Sequence, residues 1–460
     1  LTHSQLLRLD EVCDKITDGT HHSPANGPDG EFKYITAKNI KPWGLDLEDV
    51  TYVDEKTHRE IYSRCDVKKN DILYVKDGAT TGRVAVNNLD EEFSLLSSVG
   101  VLRPGKDVRA KYLLYALQSP SIRDEMLSRV SGVAITRLTL KKLKETQVPL
   151  APLERQDEIV AEIEKQFSRL DEGVANLQRI KANLKRYKAA VLKAAVEGRL
   201  VETEASLARS EGRSIESGDQ LLKRILEARR SQSSRRGKYK EPLAHNSSDL
   251  PLVPEGWAWC SVDAVCAETL LGLDRGRDQQ SAEPVGAAYI KMNNVTMDGD
   301  VLTDELVYVD ASEEERARFH LASGDLLFNT RNSVELVGKV GIVRAIPAGS
   351  VFNNNLMRMR TPEGVSSVFL GYQMCSPGFR QRMEEIKKAT TSVAAVYQKD
   401  MLPLAVALPP IAEQHRIVAE VDRRLSILGA VEAEVDANLK RAVSLREAIL
   451  AKAFAPNQSV

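Results

Sequence analysis

The chain has 460 residues, 42% of them hydrophobic and 28% charged, with a formal net charge of −1. That length suits about three domains or a duplicated pair, and the balanced charge excludes a generic polycation that coats nucleic acid, so any DNA contact must be local. No run of about 18 apolar residues occurs and LTHSQLLRLD lacks a signal-peptide core, which predicts a cytoplasmic protein. Its five cysteines form no CxxC pair and predict reduced, mostly buried thiols and no metal site.

In chain order, Asp71 to Val75 and Arg83 to Val86 are short runs set off by Gly and Asn-Asp turns, and they predict strands. Ala110 to Gln118 and Ser121 to Arg129 predict helices broken at Ser119-Pro120. His21-His22 has no ligand partner at metal spacing and predicts a turn or a DNA-facing loop. DGATTGR at Asp77 resembles a phosphate loop but lacks the GxxxxGK[ST] spacing.

Pro149 and Pro152 precede a long helix that opens LERQDEIVAEIE at Leu153, and IAEQHRIVAEVD opens another at Ile411, an offset of 258. On the first helix Ile163, Phe167, Leu170, Val174, Leu177, Leu184 and Val191 follow heptad spacing, interrupted by Lys181 and Lys188. Val421, Leu425, Leu428, Val435, Leu439, Ala442 and Ile449 do the same on the second, interrupted by Glu432 and Arg446. Neither stripe can bury itself, so the two are expected to pack together.

Between them, Val201 to Asp249 is rich in Ser and charge. Lys223, Arg224, Arg229, Arg230, Arg235, Arg236, Lys238 and Lys240 predict either a phosphate-tracking run or a solvated linker helix followed by a flexible loop. VPEGWAW then opens a second domain, whose Trp257 and Trp259 predict an entry strand packed by its aromatic face.

The repeat extends far beyond the helix entrances. YITAKNI at Tyr34 returns as YIKMNNV at Tyr289, NDILYV at Asn70 as GDLLFN at Gly324, and TGRVAV at Thr81 as VGKVGI at Val337. LQSPSIRDEM at Leu117 returns as MCSPGFRQRM at Met374, and the offsets stay between 254 and 258. Two copies of one unit are implied, each an α+β domain followed by a long helix. No dinucleotide fingerprint follows a strand, LPPI at Leu408 lacks the polar and aromatic ends of an adenine-methylating motif, and no nucleophile, base and orienter come together. A non-catalytic protein is expected.

The P-L/I-x-x-Q-x-x-I helix entrances, VPEGWAW and RNSVELVGK at Arg331 together resemble the DNA-specificity subunit of type I restriction-modification systems over nearly the whole chain. The first domain departs from the pattern in lacking a PxGW opening, and the initial Leu points to further N-terminal residues. The resemblance implies an α+β fold of two duplicated target-recognition domains separated by a pair of long antiparallel coiled-coil helices, with pseudo-two-fold symmetry. It divides the chain into target-recognition domain 1–150, helix 151–200, basic linker 201–250, second target-recognition domain 251–405 and helix 406–460. Each domain would read one half of a bipartite, asymmetric target in double-stranded DNA, and the helices would set the spacing.

The partners implied are two methyltransferase subunits using S-adenosylmethionine and, optionally, two restriction subunits using ATP and Mg, with no cofactor in this chain. A coiled-coil adaptor whose lobes bind proteins is the alternative. Base-reading side-chain preferences select polar loops at equivalent places: Lys38, Asn39, Lys76, Thr80, Thr81 and Arg83 in the first domain; Lys291, Asn293, Asn294, Arg331, Asn332, Ser333 and Lys339 in the second; and the run Asn353, Asn354, Asn355. Removing residues 406–460 is expected to abolish assembly while leaving both domains folded.

Overall fold

The computed structural model describes residues 5–129, 137–233, 239–245, 250–390 and 393–455. They form two compact units, residues 1–180 with 434–460 and residues 181–433. Each unit contains one β-rich domain, the start of one long helix and the end of the other.

The first unit is organised on a four-stranded antiparallel sheet in the order Cys13–Asp18, Val99–Pro104, Ile72–Val75, Val84–Val86. Every residue of Ile72–Val75 is buried because the sheet is covered on both faces. Ile72 and Tyr74 enter the core under helices Ala110–Gln118 and Pro120–Ser128. Leu73 and Val75 enter a second core with Ile35, Phe93 and Leu95. The helices break where proline takes the first helical turn, at Pro120 and again at Pro377 in the other copy.

The second unit repeats this plan with Glu268–Leu271, Leu356–Arg360, Leu326–Asn329 and Val340–Ile342, and again Leu326 and Phe328 face one core while Leu327 faces another. The duplication reaches the level of register. Tyr34 and Ile35 pair in parallel with Ser94 and Leu95, as Tyr289 and Ile290 do with Val351 and Phe352.

A two-stranded antiparallel pair closes each domain, Gln5–Arg8 with Gln147–Leu150 and Ala258–Ser261 with Ala405–Leu408. The strand that feeds the long helix is thus bonded to the strand that opens the domain. The helices that follow, Leu153–Val196 and Ile411–Ala453, are each continuous.

The repeated glutamine explains how these helices are seated. Gln156 and Gln414 are both wholly buried. The Gln156 side-chain oxygen accepts from Arg109 N at 2.8 Å, and its amide donates to Asp107 O and Ala151 O at 2.8 and 2.7 Å. Gln414 accepts from Ser366 N at 2.7 Å and donates to Gly364 O and Pro409 O at 3.3 and 2.9 Å. One side chain therefore ties the helix entrance to the start of the helix lying over the sheet.

The heptad positions form the protected stripe, and Ile163, Phe167, Val191, Val421, Leu428, Val435 and Ala442 are buried. The charged interruptions are accommodated within the units. Lys188 meets Glu432 at 2.6 Å, and Arg446 lies 4.0 Å above the Phe167 ring while pairing with Asp171 at 2.8 Å. Both pairings are antiparallel.

Among the described residues the linker differs from expectation in its helix. Glu204–Glu211 and Gly218–Ser233 are helices, and Leu221 and Ile225 of the second are buried in the core of the second unit, so this helix is packed against the domain rather than solvated. Three of its described arginines are engaged in ion pairs. Arg224 pairs with Glu216 at 2.7 Å, Arg229 with Asp263 at 3.2 Å and Arg230 with Glu241 at 2.6 Å. Arg235, Arg236 and Lys238 lie outside the described residues.

At the second helix entrance, buried Glu413 accepts from Trp257 Nε1 at 2.9 Å and Glu204 N at 2.8 Å. Trp257 is thus the buried member of the entry pair, while Trp259 is half-buried and donates to Pro251 O at 3.0 Å.

Candidate nucleic-acid interface

Equivalent hairpins leave the two central sheets: residues 76–83 between Ile72–Val75 and Val84–Val86, and residues 330–339 between Leu326–Asn329 and Val340–Ile342. Both close in the same way. Gly82 N donates to Val75 O at 2.8 Å and Gly338 N to Asn329 O at 2.9 Å, with φ of 94° and 83°, a backbone region that favours glycine. The second hairpin is the longer, and it is here that the repeat offset steps from 254 to 256. Its first residues, Arg331–Asn332, join a three-stranded ribbon with Ala394–Ala395 and Lys388–Ala389. Among the described residues the first hairpin bridges Asp77 to Arg137, and Leu138 N donates to Lys76 O at 2.8 Å.

The candidate readers fall into two groups. Asn39, Asn294, Asn353, Lys76 and Lys339, expected to face DNA, are instead buried and engaged within their domains. Asn39 accepts from Thr36 N and donates to Asp46 O, and Asn294 accepts from Lys291 N and donates to Leu302 O and Glu305 O. The same loop staple appears in both copies, and it occupies both ends of each amide. Asn353 donates to Tyr289 Oη at 2.7 Å and accepts from Asn355 N.

Lys76 lies 3.2 Å from Asp18 and 3.4 Å from Asp77. Asp18 is 1% exposed and also receives Arg64 at 2.7 Å, with His21 at 3.4 Å. Arg64 also stands 2.9 Å from His21 Nε2, so His21 is engaged beside the Asp18 cluster. Lys339 donates to Met292 O at 2.7 Å and to Val295 O, and burial holds its ammonium below the ordinary lysine range.

The remaining candidates face solvent at least in part. Lys38, Asn293 and Arg331 are exposed; Thr80, Thr81, Arg83, Lys291, Asn332, Ser333, Asn354 and Asn355 are half-buried. Some are partly committed, since Thr81 caps its own turn through Gly78 O, Lys291 donates to Gln280 and Asn332 donates to Asn329. Arg83 and Arg331 make no ion pair among the described residues, which leaves two guanidinium groups at the ends of equivalent hairpins.

Sequence reasoning missed Tyr397 and Lys388, where the ammonium stands 5.3 Å over a 47% exposed ring beside Arg331's ribbon. It also missed Arg137, 3.2 Å from Asp77. The only signal available for them was a basic or aromatic side chain within a short polar stretch.

Among the described residues no three His, Cys, Asp or Glu side chains gather as a metal site, and no helix is long and apolar enough to cross a membrane. Cys65, Cys260, Cys266 and Cys375 are buried and Cys13 is half-buried, and burial pushes the Cys260 and Cys266 thiols up to about 12.

Residues 3–186 match the family model of the type I restriction modification DNA specificity domain. The type I restriction enzyme EcoKI specificity subunit of Escherichia coli is 24% identical over 431 residues, spanning 93% of this chain and 82% of that protein. The StySPI specificity subunit of Salmonella potsdam is 22% identical over 432 residues, with the same coverage of 93% and 82%. A chain from a structure titled for complex assembly and conformational transition of the type I R-M system has the same fold, with a TM-score of 0.67 over 99% of both chains at 17% identity. A duplicated α+β domain, Gln-stapled helix entrances and packed heptad helices thus accompany a matched DNA-specificity domain, and over nearly its whole length the chain is similar to the DNA-specificity subunits of type I restriction-modification systems.

Proposed function

We propose that each β-rich domain reads one half of a bipartite, asymmetric DNA target, and that the paired helices set the spacing between halves and dock two methyltransferase subunits. Those partners would supply S-adenosylmethionine chemistry on adenine N6, and optional restriction subunits would supply ATP- and Mg-dependent cleavage, in the cytoplasm. The observation that carries this reading is the repeated hairpin, held by the same glycine closure in both copies but differing in length and side chains. A shared scaffold with divergent tips suits two readers of unlike sequence.

Arg83 and Arg331 fit bidentate guanine contact, Asn293, Asn354 and Asn355 fit adenine, and Lys38, Thr80, Thr81 and Ser333 fit phosphate. Tyr397 with Lys388 adds an aromatic and cationic platform.

Co-expression with the methyltransferase subunit in a host without adenine methylation, followed by methylome sequencing, tests the reading. One split, non-palindromic motif is expected. Arg331→Ala should relax one half, at a cost of about 1–3 kcal/mol of discrimination at that base, and Arg83→Ala should relax the other. A continuous motif, or both halves altered by one substitution, would overturn it.

A further inference from the structure

Trp43 is 78% exposed, whereas Trp257 is buried and Trp259 is half-buried. It makes no hydrogen bond or ring contact among the described residues. Its position is stiff. Ile40–Lys41 and Gly44–Leu45 form a two-stranded hairpin whose tip is Pro42-Trp43, and Gly44 turns it at φ 136°. The base is fixed by the wholly buried Ile40 in the core, by Asn39 donating to Asp46 O at 3.1 Å, and by Asp46 N donating to Asn39 O at 2.8 Å. A large apolar ring is thus presented to solvent on a pre-organised knob, where binding would cost little ordering.

The other copy shows what this hairpin does when its contact lies within the same unit. There Val295 bridges to Val301, and the tip Met297-Asp298-Gly299 faces the first long helix of its own unit. Asp298 stands 3.4 Å from Lys188, and Met297 O accepts from Arg380. That tip docks on a cationic helical surface of protein.

The charge around Trp43 favours the same kind of occupant. Residues 40–49 carry Asp46, Glu48 and Asp49 against Lys41, and Lys41 is already 3.5 Å from Asp46. Beyond Lys38 at its base, the hairpin is thus net acidic and complements Lys and Arg.

We propose that the Trp43 hairpin is a protein-docking knob, whose ring enters an apolar notch rimmed by Lys or Arg on the methyltransferase subunit that joins this chain. The proposal rests on the specificity-subunit reading for its partner. Exposed Trp anchors that become buried are characteristic interface hot spots, and this one leaves the domain core untouched, so its removal does not compromise folding.

The test uses the full chain, its Trp43→Phe and Trp43→Ala variants, and the purified methyltransferase subunit. The acrylamide-quenchable emission lost in Trp43→Phe reports Trp43. Added methyltransferase subunit should protect that fraction, and duplex DNA alone should not. Trp43→Ala should weaken the complex at least about tenfold, and Glu48→Lys with Asp49→Lys should weaken it further at low salt. Native affinity in Trp43→Ala, or Trp43 of the native chain still quenchable in the complex, would overturn the docking knob alone. Protection by duplex DNA alone would overturn it in favour of a nucleic-acid contact. Failure of the native chain to bind the subunit at all would overturn the partner reading and the knob with it.

Discussion

At the scale of single residues, the repeated polar side chains serve the fold before they serve DNA. Gln156 and Gln414 each satisfy three backbone groups at a buried helix entrance. Replacing either by Ala strands those groups without solvent, at a cost of about 1–3 kcal/mol. Hydrogen exchange should quicken at residues 364–373 and 409–420 in Gln414→Ala and leave the first helix entrance unchanged; uniform protection at both entrances would refute the staple. Glu413 gives a pH-dependent counterpart. Burial raises its carboxyl above the ordinary range, against the pull of Glu204 N, Trp257 and Arg416. The folded state then holds the proton more tightly than the unfolded chain does. The resulting stability is complete below the unfolded pKa of about 4.3 and is lost as pH rises through the raised value. Urea unfolding of the native chain and Glu413→Gln should therefore show the native chain losing ground to the variant as pH climbs from about 4. A difference that stays constant with pH would count against the assignment.

At the scale of elements, what was legible in the sequence was whatever carries a period or a breaker. The duplication, the Ser119-Pro120 break, the strands at Ile72–Val75 and Val84–Val86 and the heptad stripe all followed from spacing, because burial imposes that spacing on the chain. The roles of individual loop residues did not follow. Asn39 and Asn294 recur at equivalent positions because the loop needs an amide there, and recurrence alone cannot separate a loop staple from a base reader. The linker misled for a related reason. The apolar pairs Leu221-Leu222 and Ile225-Leu226 form a narrow stripe within a strongly basic run, and the cations are matched by acids distant in sequence, such as Asp263. The end of the second long helix was also read too simply. Leu450 and Phe454 are buried in the first unit's core, with Phe454 set edge-on 5.3 Å from Tyr112. Loss of residues 406–460 would therefore strip the first domain of core contacts and would not leave it intact. Phe454→Ala should cost about 3–5 kcal/mol, and exchange should quicken at Ala110–Gln118 while the sheet of the second unit is unaffected. Equal loosening of both units would contradict this division of the cores.

At the scale of the whole molecule, the near-neutral charge predicts weak DNA binding by the chain alone, with affinity gained on assembly. Independent cores in the two domains predict modular recognition. Exchange of residues 251–405 for the equivalent domain of a relative should change one half of the methylated motif and preserve the other. The proposed spacing role of the helices has a sharper test. Seven residues inserted after Leu177 and seven after Val435 keep both heptad stripes in phase. Both insertions fall between the Asp171–Arg446 and Lys188–Glu432 pairs, so each pair is retained within its own unit. The helices lengthen by about 10 Å, roughly three base pairs at about 3.4 Å each. Three pairs also turn one half-site by roughly 100° relative to the other, at about 10.5 pairs per turn, so full activity on a longer spacer is not expected. The expected outcome is loss of methylation at the original spacer, with residual methylation shifted toward spacers about three pairs longer. Full methylation at the original spacer would show that the helices do not measure the DNA and that the bound methyltransferase subunits set the distance.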